Sequence, residues 1–442
     1  MRLSRRRRRT VLSVPNRARA KTTGTARFWL RCSRCGGEAE FRHAGRCPCG
    51  GSLLVEYDLD RVARTLRPDV LPSRPGSLWR FRELLPVQRD ESIVSLGEGC
   101  TPLVPLPALR GALGVGAVYV KREEQNPTGT FKARGFSVAV SLLVEHGVGK
   151  AAIGSNGNAG SALAAYAARA GISAHVFLPE DTPGLIVDEC RGYGAEVCLI
   201  RGLIQDAGRL IDEGRDEQGW FNVGTLREPG RVEGKKTMGL ELAEQLGWRL
   251  PDVIVYPTGG GSGIIGMWKA FREMKALGWV SGDVPRFVCV QEEGCAPLVS
   301  AIRGDDEGGA GGGPVRTAPT GLRVPSPPDG ALVAGIVRDS NGTALAVTRE
   351  EIASAQASFG SLGISSSPEG AATLAALRRL AETAWIGPRD QVVLFNTAGA
   401  MKYRPWTSPV PARVVSEYSD YRDQAAAPPR PAGVEQDAPM VG

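Results

Sequence analysis

Seven short apolar runs, each the length of a buried strand, punctuate the body of the chain and limit what it can fold into. They read AVYVK, AAIG, AHVFLP, AEVCLI, DVIVYP, RFVCVQ and QVVLFN. Stretches with helical periodicity, such as NAGSALAAYAARAG and VEGKKTMGLELAEQLG, lie between most of them. Runs this apolar are buried on both faces, and parallel neighbours need a crossover between them. The pattern predicts an α/β chain with mainly parallel sheets and helices on both sides. Ligands of such sheets bind beyond the carboxyl ends of the strands. The stretches singled out next fall at such ends.

NPTGTFKARG places Lys132 after a tight turn and before an apolar periodic run. A surface lysine needs no such setting. A lysine that forms a covalent imine does, because its amine must be fixed and partly desolvated. YPTGGGSGIIGMWKAF runs strand, glycine-rich turn, helix. Around Ser262, the bare Gly259, Gly260, Gly261 and Gly263 let amides point at a phosphate near the helix's positive end. The turn lacks the Gly-Lys-Ser/Thr of a Walker loop and the spacing of a dinucleotide fingerprint. In GSNGNAGSALAAY, Asn158 is either a helix N-cap or an amide facing a cofactor oxygen. Thr397, in LFNTAGAMKY, offers a hydroxyl to a ring nitrogen. A lysine, a phosphate cup, an amide and a hydroxyl are what pyridoxal phosphate requires. A hydroxyl partner leaves the ring nitrogen largely unprotonated, which favours elimination and replacement over transamination.

The nine cysteines fall into two groups. Cys32 and Cys35 form a C-x-x-C, and Cys47 and Cys49 a C-x-C followed by two glycines. Two such knuckles fit one structural zinc; the other reading is a ribbon that has lost its metal. The remaining five are scattered, which fits a reducing compartment. Much of the net charge of +7 sits in MRLSRRRRRTVLSVPNRARAK, read as a solvated tail. Polyanion binding and export are the other readings of that run, but no apolar stretch of signal-peptide length follows it. No apolar run reaches the roughly 20 residues that span a bilayer, and a cytoplasmic protein is expected. The expected division is a basic disordered tail at 1–30, a zinc-ribbon-like module at 31–56 and a catalytic core at 75–404. The core contains a smaller mobile lobe at about 135–205, and a disordered tail fills 405–442. The glycine-rich RGDDEGGAGGGP is read as a surface loop.

Eight stretches in collinear order carry a family resemblance: SLGEGCTPL, NPTGTFKARG, GNAGSALAAYAARAG, VEGKKTMGLELAEQLGW, YPTGGGSGIIGMWKAF, GLRVP, PEGAA and LFNTAGAMKY. Over about residues 31 to 404 the chain resembles the threonine synthases. These are fold-type-II pyridoxal phosphate enzymes, here of the branch with an amino-terminal cysteine ribbon. The resemblance implies a two-lobed fold like the tryptophan synthase β chain, and a homodimer. It implies Lys132 as the Schiff-base lysine and proton shuttle, and Asn158 at the ring oxygen. Gly259 to Gly263 would cradle the phosphate, with Thr397 at the pyridine nitrogen. Enzymes of the family eliminate the γ-phosphate of O-phosphohomoserine and add water at the β-carbon. That implies a pocket for the substrate phosphate, with Arg231 the leading candidate and Asn222 and Ser155 behind it. The alternative for Arg231 is an ordinary surface charge.

The chain departs from the family pattern at Asn156, Leu362, Ala398 and Ala400. These departures keep open a related lyase or β-replacement enzyme, such as one resembling threonine dehydratase. A nucleic-acid-binding ribbon is a third reading, but it leaves Lys132 and the glycine cup unexplained.

Overall fold

The structure is a computed structural model that describes residues 28–39, 46–304, 315–403 and 417. The basic tail up to residue 27, the glycine-rich stretch 305–314 and nearly all of the carboxyl-terminal tail lie outside the described residues. The described residues start with strand β1 (Phe28–Cys32), which begins inside the stretch expected to be tail, followed by β2 (Glu38–Ala39) and β3 (Leu53–Tyr57). They pair antiparallel in the order β2-β1-β3, with Phe28 opposite Tyr57 and Cys32 opposite Leu53. Helix α1 (Leu59–Ala63) follows, capped by the Asp58 carboxylate on Arg61 N.

Then come β4 (Leu103–Pro105), α2 (Pro107–Leu113), β5 (Ala117–Arg122) and α3 (Lys132–Glu145). Strands β6 (Lys150–Gly154), β7 (Ser173–Pro179), β8 (Glu196–Ile200) and β9 (Phe221–Asn222) alternate with α4 (Asn158–Ala170), α5 (Gly184–Gly192) and α6 (Ile204–Gln218). Helix α7 (Gly230–Gln245) leads to β10 (Val253–Pro257), α8 (Ser262–Ala276), β11 (Arg286–Glu292) and α9 (Pro297–Arg303). The chain continues through α10 (Gly330–Asp339), β12 (Thr343–Val347), α11 (Arg349–Ser361), α12 (Pro368–Glu382) and β13 (Gln391–Asn396).

These strands form two sheets, a six-stranded one in the order β12-β11-β10-β13-β5-β4 and a four-stranded one in the order β8-β7-β6-β9. Every pairing is parallel except that of β4 with β5. The second sheet takes its last strand from Phe221–Asn222, beyond the residue 205 expected to end the smaller lobe. Alternation along the larger sheet sends Ile254, Tyr256, Phe287 and Phe395 to one face, into a core shared with α7, α8 and the ribbon. Val253, Val255, Val288 and Leu394 point the other way, onto α11 and α12. Full burial of each such side chain stabilises the fold by about 1.5–3 kcal/mol. No described helix is long and apolar enough to cross a membrane.

One helix crossing positions everything that follows. A Cβ on Gly234 of α7 would lie 2.0 Å from Arg134 O, and one on Gly135 of α3 would lie 3.0 Å from Arg231 O. Glycine on both sides lets the two backbones touch. The first turn of α3 therefore lies against the first two turns of α7.

Candidate active site

The turn ahead of Lys132 has two residues in the left-handed region, Thr128 (φ 61°) and Gly129 (φ 64°). It is pinned to the loop beyond β13 by main-chain pairing. Phe131 N–H donates to Thr397 O (3.0 Å), Gly399 N–H donates to Gly129 O (3.2 Å), and Thr130 bridges to Ala398. Lys132 and the buried Thr397 are neighbours for that reason.

From the other side α7 presents Arg231 and Lys235, one helical turn apart. Lys132, Arg231 and Lys235 form a crowded group of cations. Burial, then the Arg231 charge, lowers the Lys132 amine to about 7, with Glu369 pulling the other way. Burial, then Arg231 and Lys132, holds Lys235 well below its usual range. Burial brings Arg231 down to about 10 against the opposing pull of Glu228. Glu228 does not neutralise the group fully. Burial raises it to about 7, and its oxygens accept from the N–H groups of Gly230 and Arg231, both at 2.8 Å. Arg231 donates Nη1 to Val223 O (2.7 Å) and stacks over the Phe136 ring, and its buried Nε has no partner among the described residues. Arg231 is 2% exposed, which excludes the surface-charge reading.

The glycine turn lies at the end of β10, where α8 begins. Lys235 donates its Nζ to Ser262 Oγ at 2.7 Å, so a lysine meets the positive end of α8. Each glycine here is held to its type by a neighbour. A Cβ on Gly259 would meet Gly321 O at 2.2 Å, and one on Gly263 would meet Tyr256 OH at 2.1 Å. Gly260 faces Thr225, and Gly261 combines φ 77° with the Val333 side chain. The amides at this helix start are left uncovered by side chains of their own.

Asn158 is the first residue of α4, preceded by Gly157 at φ 132°. Its side chain does not cap the helix. Ser155 Oγ does that work, accepting from Gly157 N–H (3.0 Å) and Gly160 N–H (3.1 Å). The Asn158 amide instead donates to Tyr403 OH at 2.8 Å, and its buried Oδ1 has no partner among the described residues. Asn222 is likewise occupied, donating to Asp212 Oδ1 (2.8 Å) and accepting from Gly224 N–H (2.9 Å). It lines a cavity of about 610 Å³ together with Gly260, Thr225 and Arg227. The structure thus gathers Lys132, Arg231, Ser262 and Thr397, and gives Ser155 and Asn222 local duties. Lys235, Glu369 and Tyr403 join the site without having been singled out in the sequence.

The departures fall in different places. Asn156 is buried and donates to Arg323 O (2.6 Å), tying the smaller lobe to the GLRVP segment. Ala398 and Ala400 lie in the loop pinned to the Lys132 turn. Leu362 ends α11 and packs into the core under the larger sheet. In the ribbon the sulfurs of Cys32 and Cys49 are 3.4 Å apart and those of Cys35 and Cys47 3.5 Å, with all four within 4.8 Å. A tetrahedron with Zn–S bonds of about 2.3 Å has edges of about 3.8 Å, so this cluster can hold a zinc ion.

Residues 94–398 match the family described as pyridoxal-phosphate dependent enzymes. The threonine synthase of Methanosarcina acetivorans is 36% identical over 384 residues, 86% of this chain and 93% of that enzyme. The threonine synthase of Methanocaldococcus jannaschii is 33% identical, over 84% of this chain and 92% of its own length. The chain belongs to the threonine synthase family of pyridoxal-phosphate dependent enzymes. Among solved structures, a pyridoxal 5'-phosphate-dependent aspartate racemase superposes with a TM-score of 0.60 at 22% identity, covering 70% of this chain and 93% of that one. The processed threonine deaminase isoform 2 of Solanum lycopersicum gives 0.56 at 21%, covering 68% and 79%. Both show the shared fold. Pyridoxal 5'-phosphate is the cofactor of this family, and the site fits it. A crowded cation group calls for an anion, the α8 start has no side-chain cap, and Arg231 Nε and Glu369 Oε2, of two residues facing the Lys132 amine, are buried without partners among the described residues.

Proposed function

We infer that this protein is a threonine synthase, converting O-phospho-L-homoserine and water to L-threonine and inorganic phosphate. The observation that carries the reading is the group formed by Lys132, Arg231 and Lys235. With Lys132 holding the cofactor and Lys235 at the start of α8 beside its phosphate, the buried Arg231, whose Nε has no partner among the described residues, is left for a second anion, and a phosphate on the substrate supplies one.

In this reading Lys132 holds the cofactor, and Ser262, Lys235 and the amides of Gly259 to Gly263 hold its phosphate. Asn158 faces the ring oxygen, and Thr397 faces the ring nitrogen. Bound there, the cofactor supplies an electron sink that acidifies the substrate's carbon-bound hydrogens. The Lys132 amine, lowered to about 7 by burial and then by the Arg231 charge, moves those protons at ordinary pH. Arg231, with its free Nε, orients the substrate phosphate and stabilises it as it leaves. The buried Arg231 guanidinium favours a substrate that carries an anion at that end. A homodimer in the cytoplasm that acts on a small molecule, not on nucleic acid, completes the proposal.

The test is direct. Purified protein loaded with cofactor is expected to release phosphate and threonine from O-phosphohomoserine in equal amounts. Lys132→Ala is expected to lose covalent cofactor attachment and turnover together, by about 10²–10⁴-fold or more. Wild-type protein that leaves phosphohomoserine intact but deaminates threonine or serine would overturn the substrate assignment and keep the cofactor.

A further inference from the structure

The segment after β13 belongs by sequence to the larger lobe, yet its last described residues reach across to the smaller one. Lys402 Nζ bonds the Glu189 carboxylate of α5 and lies 3.4 Å from Ser161 Oγ of α4. The Tyr403 ring packs against the smaller lobe's core. Its hydroxyl accepts from Asn158 Nδ2 at 2.8 Å and donates to Glu369 Oε1. Glu369 stands in the first turn of α12, where its Oε1 also accepts from Gly321 N–H at 2.8 Å. Gly321 is the residue whose carbonyl closes over Gly259 in the phosphate cup.

We propose that Tyr403 is a positioning residue for the cofactor, fixing the Asn158 amide between the ring oxygen and the Glu369 carboxylate. The inference rests on the cofactor placement given above. An amide nitrogen carries two hydrogens. One is spent on Tyr403, which sets the amide plane, and the second is left for the ring oxygen. Among the described residues Asn158 Oδ1 and Glu369 Oε2 are buried without partners, so Tyr403 alone holds the Asn158 amide, while Glu369 is anchored by Tyr403 and by Gly321 N–H. Asn158 belongs to the smaller lobe and Glu369 to the larger, so the Tyr403 hydroxyl also joins the lobes at the cofactor. The charged groups facing the amine are Arg231 and Lys235 from α7 and Glu369 from α12.

Tyr403→Phe keeps the ring and removes the hydroxyl. A looser amide supports the ring oxygen anion less well. The pH midpoint of the bound cofactor's absorbance change is therefore expected to move upward, by about half to one unit. The kcat is expected to fall by about tenfold with KM within about twofold, the effect of one lost hydrogen bond at the reacting centre. Cofactor-loaded wild type is measured alongside. If it shows no imine absorbance that disappears in Lys132→Ala, the cofactor placement itself fails. A normal wild type beside an unchanged Tyr403→Phe midpoint and kcat overturns the positioning role alone. If the phenylalanine variant does not fold, Glu369→Ala carries the test, since it removes the acceptor that holds the Tyr403 hydroxyl. Loss of the carboxylate charge by itself lowers the midpoint, so a midpoint that rises supports the link and one that falls or stays in place overturns it.

Discussion

Two residues of one turn, Lys132 and Arg134, enter buried charge clusters of opposite design. Arg134 is 0% exposed and bonds Glu123 through Nε (2.7 Å) and Nη2 (2.8 Å). It bonds Glu241 through Nη1 and Nη2, both at 2.7 Å. Lys121 adds a second cation 3.0 Å from Glu241, so two cations meet two carboxylates. Burial would raise Glu241, but Arg134 and Lys121 hold it at about 2. The Lys132 cluster, on the other side of the same helix crossing, has cations facing cations. Closed networks of the first kind specify structure, whereas an unbalanced group of the second kind is tolerated for what binds there.

The contrast breaks first at Arg134. Replacing it with methionine leaves two buried carboxylates with Lys121 alone, a loss of about 3–5 kcal/mol in denaturant unfolding. Removing a cation from the other cluster is expected to do the reverse. Arg231→Ala relieves crowding, so the cofactor-free protein is expected to keep or gain stability. Its binding of the phosphorylated substrate is expected to weaken by about 1.5–3 kcal/mol, read as KM or as the affinity of a phosphonate analogue. Equal destabilisation by the two variants would erase the distinction between the clusters.

That distinction was only half legible in the sequence. The seven apolar runs are all strands, because uninterrupted β-branched and aromatic residues have few other ways to be buried. The missed strands are the short β4 and β9 and the alanine-rich β12 (TALAV), where that signal is weak. Lys132 stood out because a turn of special residues precedes it. Arg134, two positions on, did not, since Glu241 reaches it through the crossing of α3 and α7 and Glu123 from just beyond β5. Lys235 was visible in EGKKT, but only helical spacing from Arg231 gives it a role. Tyr403 meets Asn158 and Glu369 through the fold alone.

The smallest effect tests the electrostatics directly. In the cofactor-free protein the Lys132 amine lies at about 7, against an ordinary value of 10.5, so between those values the unfolded chain holds a proton that the folded one has released. Stability from this group therefore rises as pH climbs from about 7 towards 10.5, and is lost as pH falls through 7. Lys132→Met is expected to lower that rising limb in a series of unfolding curves, leaving the part that Lys235 contributes. Amine-selective labelling of Lys132 is expected to show a midpoint near 7 in the wild type. Arg231 is the leading charged neighbour depressing the amine, so Arg231→Ala is expected to move the midpoint upward, by about one unit at most. Arg134→Met, if folded at the labelling temperature, is expected to leave it in place, because Arg134 is neutralised where it stands. A midpoint that follows Arg134 instead of Arg231 would mean that the two clusters act as one.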